Sequence, residues 1–279
     1  MRKVLDLKSL EKLRWQIREE ILEMVWQAKS GHLAGSLGVV EQYLILFLGG
    51  ILNYKPEEPN WPARDRLVIS NGHYAPALYA VMAEAGFFKK EELLTLRKFG
   101  SRLQGHPSRN HLPGIETSSG PLGEGLSQSI GLALAAKLNQ EKWQVFCGMS
   151  DGEQDCGNTW EAVMLAGKLK LPNLIAFIDR NEIQIDGFTE EVMPLALLRE
   201  KYQSFSWHVL EGKGNDLEEV KEKFEEAKEI PKPVVIIFRT IPGYGVDFMQ
   251  WKSEWHGKVP NEKEYQSAIS QIRKKLEKI

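Results

Sequence analysis

The chain has 279 residues, of which 42% are hydrophobic and 27% are charged, a composition typical of a folded globular protein and not of a disordered or fibrous one. Its 36 Lys and Arg residues nearly balance 38 Asp and Glu residues, and the net charge of −2 gives no basic surface for nucleic acid or an anionic membrane. The longest apolar run, residues 43–52, falls well short of the roughly 20 residues that span a bilayer.

The N-terminal segment and the two cysteines bear on location. Residues 8–28 form a charged amphipathic pattern without the apolar core of a signal peptide, so export is not expected. Cys147 and Cys156 form neither a CxxC pair nor a metal-ligand spacing, and such cysteines suit a reducing compartment. The sequence therefore predicts a cytoplasmic protein with no nucleic-acid or membrane partner.

Helical and strand patterns alternate along the chain. Helical periodicity covers about 8–28, 36–50, 75–86, 91–98, 123–140, 158–170, 216–229 and 261–277. Short apolar strand patterns cover about 66–70, 144–149, 174–179, 206–210 and 234–240. This order predicts an α/β fold with a mostly parallel sheet and helices on both faces. Because no repeat, low-complexity tract or flexible linker interrupts it, a single domain over residues 1–279 is expected.

Polar side chains follow two neighbouring strands of this predicted sheet. Asp151 comes directly after the strand at 144–149, and Asn181 comes soon after the strand at 174–179. A right-handed crossover helix between the strands places both strand ends on one edge of the sheet, where α/β folds bind ligands. A carboxylate and an amide with room for phosphate oxygens favour magnesium or calcium over zinc.

Four of the six histidines adjoin a glycine, in loops crowded with small residues. They are His32, His73, His106 and His256. Each alone is more typical of a structural loop histidine, but small neighbours let a ligand approach the backbone. Together with Asp151 and Asn181, they indicate a ligand site.

Seven motifs then occur in one order. They are SGHLAGSLG at 30–38, RDRLVISNGH at 64–73, QGHP at 104–107, ETSSGPLGEGLS at 116–127, SDGEQDCGNTWEA at 150–162, DRNEIQIDG at 179–187 and WHGKVPN at 255–261. In this order they closely resemble the thiamine-diphosphate-binding N-terminal half of transketolase, in the form found as a separate subunit. The resemblance runs from about residue 8 to residue 262 and implies the thiamine-diphosphate-binding fold.

The resemblance implies a role for each matching position. A divalent ion, magnesium with calcium or manganese as alternatives, would be held by Asp151, Asn181 and the carbonyl of Ile183. Gly152 would donate its N–H to the cofactor diphosphate, and His73 and His256 would contact phosphate oxygens. The aminopyrimidine ring would lie against Gly120, Pro121 and Leu122. The implied catalytic residues, which contact the sugar or assist the reaction, are His32, His106, His256 and Glu161. His111 and His208 match no motif and are interpreted as structural.

One position departs from the family pattern. Family members usually carry a glutamate five residues after the metal-binding aspartate, in a chain of carboxylates that links paired active sites, and here that position is Cys156. The second glutamate of that chain is kept as Glu161. Glu153 or Asp155 could replace the missing carboxylate, but the simpler interpretation is that Cys156 packs as a small apolar residue.

The resemblance also implies an activity and a partner. The activity is transfer of a two-carbon ketol unit from a ketose phosphate to an aldose phosphate, a reaction of the pentose phosphate pathway. The pyrimidine-binding and C-terminal domains of the family do not appear in this sequence. A C-terminal transketolase subunit is therefore expected as partner, with two copies of each chain in a heterotetramer.

Three other functions remain open from the sequence. One is a subunit of another thiamine enzyme, either a deoxyxylulose-phosphate synthase or the α subunit of a 2-oxoacid dehydrogenase. Another is a metal-dependent hydrolase that uses the histidines with Asp151, although no HExxH or paired-histidine spacing supports it. The last is a non-catalytic cofactor-binding subunit, which the unusual Cys156 leaves open.

Overall fold

The computed structural model describes residues 4–279, and its centre is a five-stranded sheet with the strand order β1-β2-β3-β7-β6. These strands are β1 (Arg66–Ile69), β2 (Val145–Ser150), β3 (Leu174–Arg180), β6 (His208–Lys213) and β7 (Val234–Arg239). All neighbouring pairs within this sheet are parallel. A separate antiparallel hairpin pairs β4 (Ile183–Gln184) with β5 (Gly187–Phe188). The predicted parallel sheet is confirmed.

Helices cover both faces of the sheet. The α-helices are α1 (Leu7–Ala28), α2 (Leu33–Gly38), α3 (Val40–Phe47), α4 (Ala75–Glu84), α5 (Glu124–Leu138), α6 (Gly157–Leu169), α7 (Thr189–Val192), α8 (Leu198–Ser204), α9 (Leu217–Lys228) and α10 (Glu262–Leu276). In β3, Ile175 and Phe177 join one buried cluster with α1, α3, α4 and α9, while Ala176 and Ile178 join another with α5, α6 and α8. Because alternate residues of β3 enter different clusters, both faces of the strand are buried. This explains why its sequence is a continuous apolar run, as predicted.

The register of β2 and β3 aligns the two strand ends that carry the predicted site. Ser150 pairs with Asp179, and the backbone N–H of Asp151 donates to the carbonyl of Asp179 at 3.1 Å. The backbone N–H of Glu182 in turn donates to Asp151 Oδ2 at 2.7 Å. The residues after both strands therefore converge at one edge of the sheet, as the crossover argument predicts.

Several predicted elements differ from the structure. The helix predicted over 36–50 is two helices, α2 and α3, which are separated at Val39 because its backbone leaves helical geometry (φ −95°, ψ 3°). Residues 90–95 form a 3₁₀ helix in place of an α-helix. The β4–β5 hairpin and the helices α7 and α8 were not predicted. None of the helices in the described part of the chain is long and apolar enough to cross a bilayer.

Candidate functional site

A cleft of about 320 Å³ lies at the carboxyl edge of the sheet. Its lining residues come from the ends of β2 and β1, the β4–β5 hairpin and the segments that carry His32, His106, Gly120 and His256: His32, His73, Tyr74, His106, Gly120, Leu122, Ser150, Asp151, Gly152, Glu153, Ile183, Gln184, Ile185, Asp186 and His256. A larger hollow of about 450 Å³, between α1 and residues 90–94, holds none of the predicted site residues. The structure therefore brings all four glycine-adjacent histidines to the strand edge that carries Asp151.

Asp151 is buried at this edge, and both of its carboxylate oxygens accept hydrogen bonds. Oδ1 accepts from the N–H of Gly152 at 2.8 Å, and Oδ2 accepts from Arg180 Nη1 at 3.0 Å and from the N–H of Glu182. Burial and the nearby Asp179 carboxylate raise the pKa of Asp151 to about 7, against the opposing effect of Arg180 and the two N–H groups. Further positive charge at this position would favour the ionised form.

The side chain of Asn181 is held in one orientation by buried partners. Its Nδ2 donates to Tyr74 Oη at 2.8 Å and to Asp179 Oδ2 at 2.6 Å, and its Oδ1 accepts from the N–H of Ile183 at 3.0 Å. Asp179 in turn accepts from Tyr74 at 2.7 Å and from the hydroxyl of Thr240. Sequence reasoning missed the roles of Tyr74 and Asp179, which accept from the Asn181 amide, and of Thr240, which donates to Asp179.

The donor set at this edge fits a hard cation. Asp151 and Ile183 line the cleft, whereas Asn181 is buried outside its lining, with its Oδ1 bonded to the N–H of Ile183. A carboxylate, an amide oxygen and a backbone carbonyl are oxygen ligands of the kind that magnesium and calcium prefer. Among residues 4–279, no group of three or more His, Cys, Asp or Glu side chains is arranged to hold a metal. The described residues thus lack the ligand cluster that a zinc-type hydrolase uses.

The four histidines form a cluster opposite the acidic edge. The ring of His32 lies 5.3 Å from that of His73, 5.4 Å from that of His256 and 6.5 Å from that of His106, and His73 lies 5.3 Å from His256. His32 Nδ1 and His73 Nε2 are buried without a hydrogen-bond partner in the described structure. Because buried polar atoms are normally paired, these two nitrogens fit a site that a polar ligand completes.

Burial keeps these imidazoles neutral. It lowers the pKa of His32 to about 4, with the charges of His256, Arg97 and His106 adding to the effect. Burial also lowers the pKa of His73, His106 and His256. A neutral imidazole has one donor and one acceptor nitrogen, so near pH 7 the cluster can both give and accept hydrogen bonds.

The glycine-rich loop before α5 forms another wall of the cleft. Gly120 (φ 150°) and Gly123 (φ 84°) adopt backbone conformations that favour glycine, and a Cβ at Gly123 would lie 2.3 Å from Asn158 Oδ1. Gly120 and Leu122 line the cleft, whereas Pro121 is exposed and lies outside its lining.

The buried carboxylate of Glu153, which the sequence suggests as a replacement for the missing glutamate, supports this loop. Glu153 is fully buried, and its oxygens accept hydrogen bonds from the N–H of Gly123 at 2.7 Å, the N–H of Ser150 at 3.1 Å and the hydroxyl of Ser70. Asp155, the other acid considered as a replacement for the missing glutamate, is exposed. Glu153 therefore joins the ends of β1 and β2 to the glycine-rich loop.

The remaining predicted residues lie away from the cleft. Glu161 is exposed on α6 and does not line the cleft, so a catalytic role for it stays a prediction. Cys156 is half-buried before α6, and burial, Glu153 and Asp155 raise the pKa of its thiol. His111, which pairs with Ser108, and His208, in β6, are also outside the cleft.

Comparison with known proteins identifies relatives over nearly the whole chain. Residues 11–277 match the family model for transketolase, thiamine diphosphate binding domain. The chain is 38% identical over 276 residues to an apulose-4-phosphate transketolase subunit of Phocaeicola vulgatus, covering 99% of this chain and 98% of that protein. It is also 38% identical over 259 residues to the 6-deoxy-6-sulfo-D-fructose transketolase subunit SqwG of a Clostridium species, covering 92% and 94% of the two chains.

Solved transketolases share the fold but are longer. The structure of the Campylobacter jejuni enzyme matches with a TM-score of 0.88 at 30% identity, covering 96% of this chain and 43% of that one. The Leishmania mexicana enzyme matches with a TM-score of 0.86 at 30% identity, covering 99% and 45%. The chain thus spans less than half the length of these enzymes but nearly all of the relatives named as subunits. It belongs to the transketolase family, as a member of the split type that carries the thiamine-diphosphate-binding domain.

Proposed function

We propose that this chain is the cofactor-binding subunit of a thiamine-diphosphate- and magnesium-dependent transketolase that transfers a two-carbon ketol unit between sugar phosphates. The observation that carries the proposal is one cleft that joins an edge of oxygen ligands to a cluster of neutral histidines. Residues 1–279 would form its single diphosphate-binding domain. Thiamine diphosphate, when bound, supplies a thiazolium carbon that can take up and release the two-carbon unit.

The oxygen-rich edge would hold the ion and the diphosphate. Asp151, Asn181 and the carbonyl of Ile183 would supply three oxygen ligands, which would leave room for phosphate oxygens around a six-coordinate ion. Gly152 lines the cleft beside Asp151, and its N–H, which donates to Asp151 Oδ1 in this structure, would donate to the diphosphate instead. His73 Nε2, buried and without a partner, is suited to donate to a phosphate oxygen, and His256 lies beside it.

The histidine cluster would orient the sugar and move its protons. Ketol transfer converts a hydroxyl to a carbonyl in the donor and the reverse in the acceptor, so a proton must leave and return at an oxygen. His32, His106 and His256 are neutral near pH 7 and can accept that proton or donate a hydrogen bond. Gly120 and Leu122 would hold the aminopyrimidine ring, with Pro121 at the exposed rim.

A second chain would complete the site. Relatives that match over nearly their whole length are named as transketolase subunits, which supports a partner subunit here. Large apolar side chains are exposed at the cleft, Leu122 (37%) and Ile185 (73%), and in the β5–α7 segment that follows its hairpin, Phe188 (40%) and Met193 (56%). Exposed apolar groups that adjoin a polar site are typical of an interface. The partner would supply the pyrimidine-binding domain and the sugar-phosphate ligands, in an assembly of two copies of each chain.

Coexpression with a C-terminal transketolase subunit, followed by assays of ketose phosphates and of pyruvate as donors, tests the proposal. Ketol transfer from a ketose phosphate is expected only with both chains and thiamine diphosphate. Turnover of pyruvate alone would indicate another thiamine enzyme, and sedoheptulose phosphate made by the single chain would contradict the need for a partner.

Metal dependence is tested by substitution at the oxygen-rich edge. Asp151→Asn removes a metal-binding carboxylate and leaves Arg180 without its buried counter-ion, so thiamine diphosphate should bind at least roughly 100-fold more weakly in magnesium. Asp155→Asn makes the same change at an exposed neighbour and should bind normally. Equal binding by both variants would exclude Asp151 as a ligand.

A further inference from the structure

The side chain of Arg97 connects the two loops that carry His32 and His106. Arg97 Nη1 donates to Ser30 Oγ at 2.7 Å, and Nη2 donates to the carbonyl of Gly105 at 3.3 Å. Ser30 precedes His32 by two residues, and Gly105 directly precedes His106. One guanidinium group therefore bonds to both loops, whose histidine rings lie 6.5 Å apart.

The charge of Arg97 is not balanced by an acid. No carboxylate pairs with Arg97 in the described structure, and its Nε is buried without a partner. Gly105 packs directly on this group, since a Cβ there would lie 3.1 Å from Nε. By contrast, Arg102 in the same turn forms a two-point ion pair with Glu92. A half-buried, unpaired guanidinium is costly, which favours a role beyond loop stability.

The positive charge of Arg97 acts on His32 and His106, as the groups around these two histidines show. His32 is faced by the rings of His73, His106 and His256 and by Arg97. His106 is faced by Arg97 and His32, while the acids of the cleft, Asp151, Glu153 and Asp186, line other parts of it. Burial first and then Arg97 lower the pKa of His106. Among the described residues, Arg97 is thus the permanent cation whose charge acts on both histidines.

We propose that Arg97 is a positioning residue for the sugar-binding end of the cleft: its forked side chain sets the separation of His32 and His106 and places an unpaired positive charge beside their two loops. This inference rests on the proposed function, in which both histidines contact the sugar. A protonated imidazole has no acceptor nitrogen, so a cation beside the pair preserves its ability to take a proton from a sugar hydroxyl.

Two variants distinguish the effect of the hydrogen bonds from Arg97 to Ser30 and Gly105 from the effect of its positive charge. Arg97→Lys keeps the charge but cannot bond to Ser30 and Gly105 in the same geometry, so KM for the ketose phosphate should rise about fivefold, as for one lost hydrogen bond, with an unchanged pH profile. Arg97→Gln removes the charge, so the acidic limb of kcat/KM should move to higher pH. Arg102→Gln, which removes the paired cation of the same turn, is the control and should change neither.

A second readout does not depend on catalysis. Histidine titration by NMR in the full chain, with signals assigned through His32→Gln and His106→Gln, should show both midpoints at higher pH in Arg97→Gln than in wild type or Arg97→Lys. Unmoved midpoints in Arg97→Gln would overturn the inference. Moved midpoints in a chain that supports no ketol transfer with its partner would refute the proposed function and leave the role of Arg97 in place. If Arg97→Gln does not fold, Ser30→Ala tests the hydrogen bond from Arg97 to Ser30 and should raise KM as Arg97→Lys does. An unchanged KM in both Ser30→Ala and Arg97→Lys would overturn the positioning role of Arg97.

Discussion

The Glu153 carboxylate accepts a hydrogen bond from the backbone N–H of Gly123, 2.7 Å away, and this contact joins the end of β2 to the glycine-rich loop of the cleft. The same carboxylate accepts from Ser150 and Ser70, at the ends of two neighbouring strands. Burial raises the pKa of Glu153, while these hydrogen bonds lower it. One side chain behind the cleft wall therefore fixes three segments of the site.

Glu153→Gln should weaken both the fold and cofactor binding. The amide keeps one acceptor oxygen but turns an N–H donor toward Gly123, Ser150 or Ser70, which leaves a buried donor unpaired at a cost of about 1–3 kcal/mol in the free energy of unfolding. Because Gly120 and Leu122 lie on the same loop, thiamine diphosphate should also bind less tightly.

Urea unfolding and calorimetric titration with thiamine diphosphate measure the two effects of Glu153→Gln. Glu141→Gln makes the same chemical change at an exposed residue and should alter neither quantity. Wild-type affinity in a destabilised Glu153→Gln protein would show that Glu153 supports the fold without shaping the cofactor site.

The parts of the site that follow strand ends could be predicted, while the contacts behind them could not. The apolar runs of β2 and β3 identify buried strands, and parallel pairing then places Asp151 and Asn181 at one edge. The bonds from Tyr74 and Thr240 to Asp179 span 105 and 61 residues. Local periodicity carries no information on such pairs, since they exist only once the chain is folded.

The region from 183 to 197 was also beyond sequence reasoning, for a similar reason. Its hairpin strands have two residues each, and α7 has four, too short for a periodic pattern. Arg180 holds this region by donating to Thr189 Oγ1 at 2.7 Å and to Glu190 at 2.5 Å. The same guanidinium bonds to Asp151, so the segment is tied to the predicted metal edge by a contact that its own sequence does not show.

The low pKa of His32 should make its contribution to stability depend on pH. Its pKa is about 4 in the folded chain and near 6.5 when exposed, so between these values the unfolded chain binds the proton and the folded chain does not. The contribution is therefore lost as pH falls through this window. His32→Gln should gain stability relative to wild type between pH 7 and pH 5, as measured by urea unfolding at both values.

Two buried carboxyl groups change stability with pH in the opposite direction to His32. The difference in stability between His32→Gln and wild type at each pH is therefore more informative than the pH dependence of wild type alone. Burial raises the pKa of Asp151 to about 7 and of Asp179 to about 6, and the folded chain therefore holds protons there that the unfolded chain releases. Their effect increases stability as pH falls. His111→Gln, at an exposed histidine outside the cleft, controls for the substitution itself. A stability difference between wild type and His32→Gln that does not change with pH would contradict a neutral His32.

Cys156→Glu should restore the carboxylate that the family pattern places five residues after the metal-binding aspartate. Cys156 Cβ lies 2.9 Å from where a Cβ on Gly123 would be, next to the glycine-rich loop, yet the residue does not line the cleft. The affinity for thiamine diphosphate should therefore stay nearly unchanged. The new carboxylate would lie near Glu153, Asp155 and Glu124, whose charges already act on the thiol.

The effect of Cys156→Glu should appear in the assembled enzyme, because a chain of carboxylates between paired sites needs both Glu161 and a second acid. Steady-state kinetics with the partner subunit should show turnover or cooperativity changed by a few-fold, an amount that corresponds to about 1 kcal/mol. Cys156→Ser changes the side chain without adding a charge and should behave as wild type. Identical kinetics for Cys156→Glu and wild type would mean that the half-buried thiol is only a packing residue, and that any coupling between the sites of this enzyme does not pass through position 156.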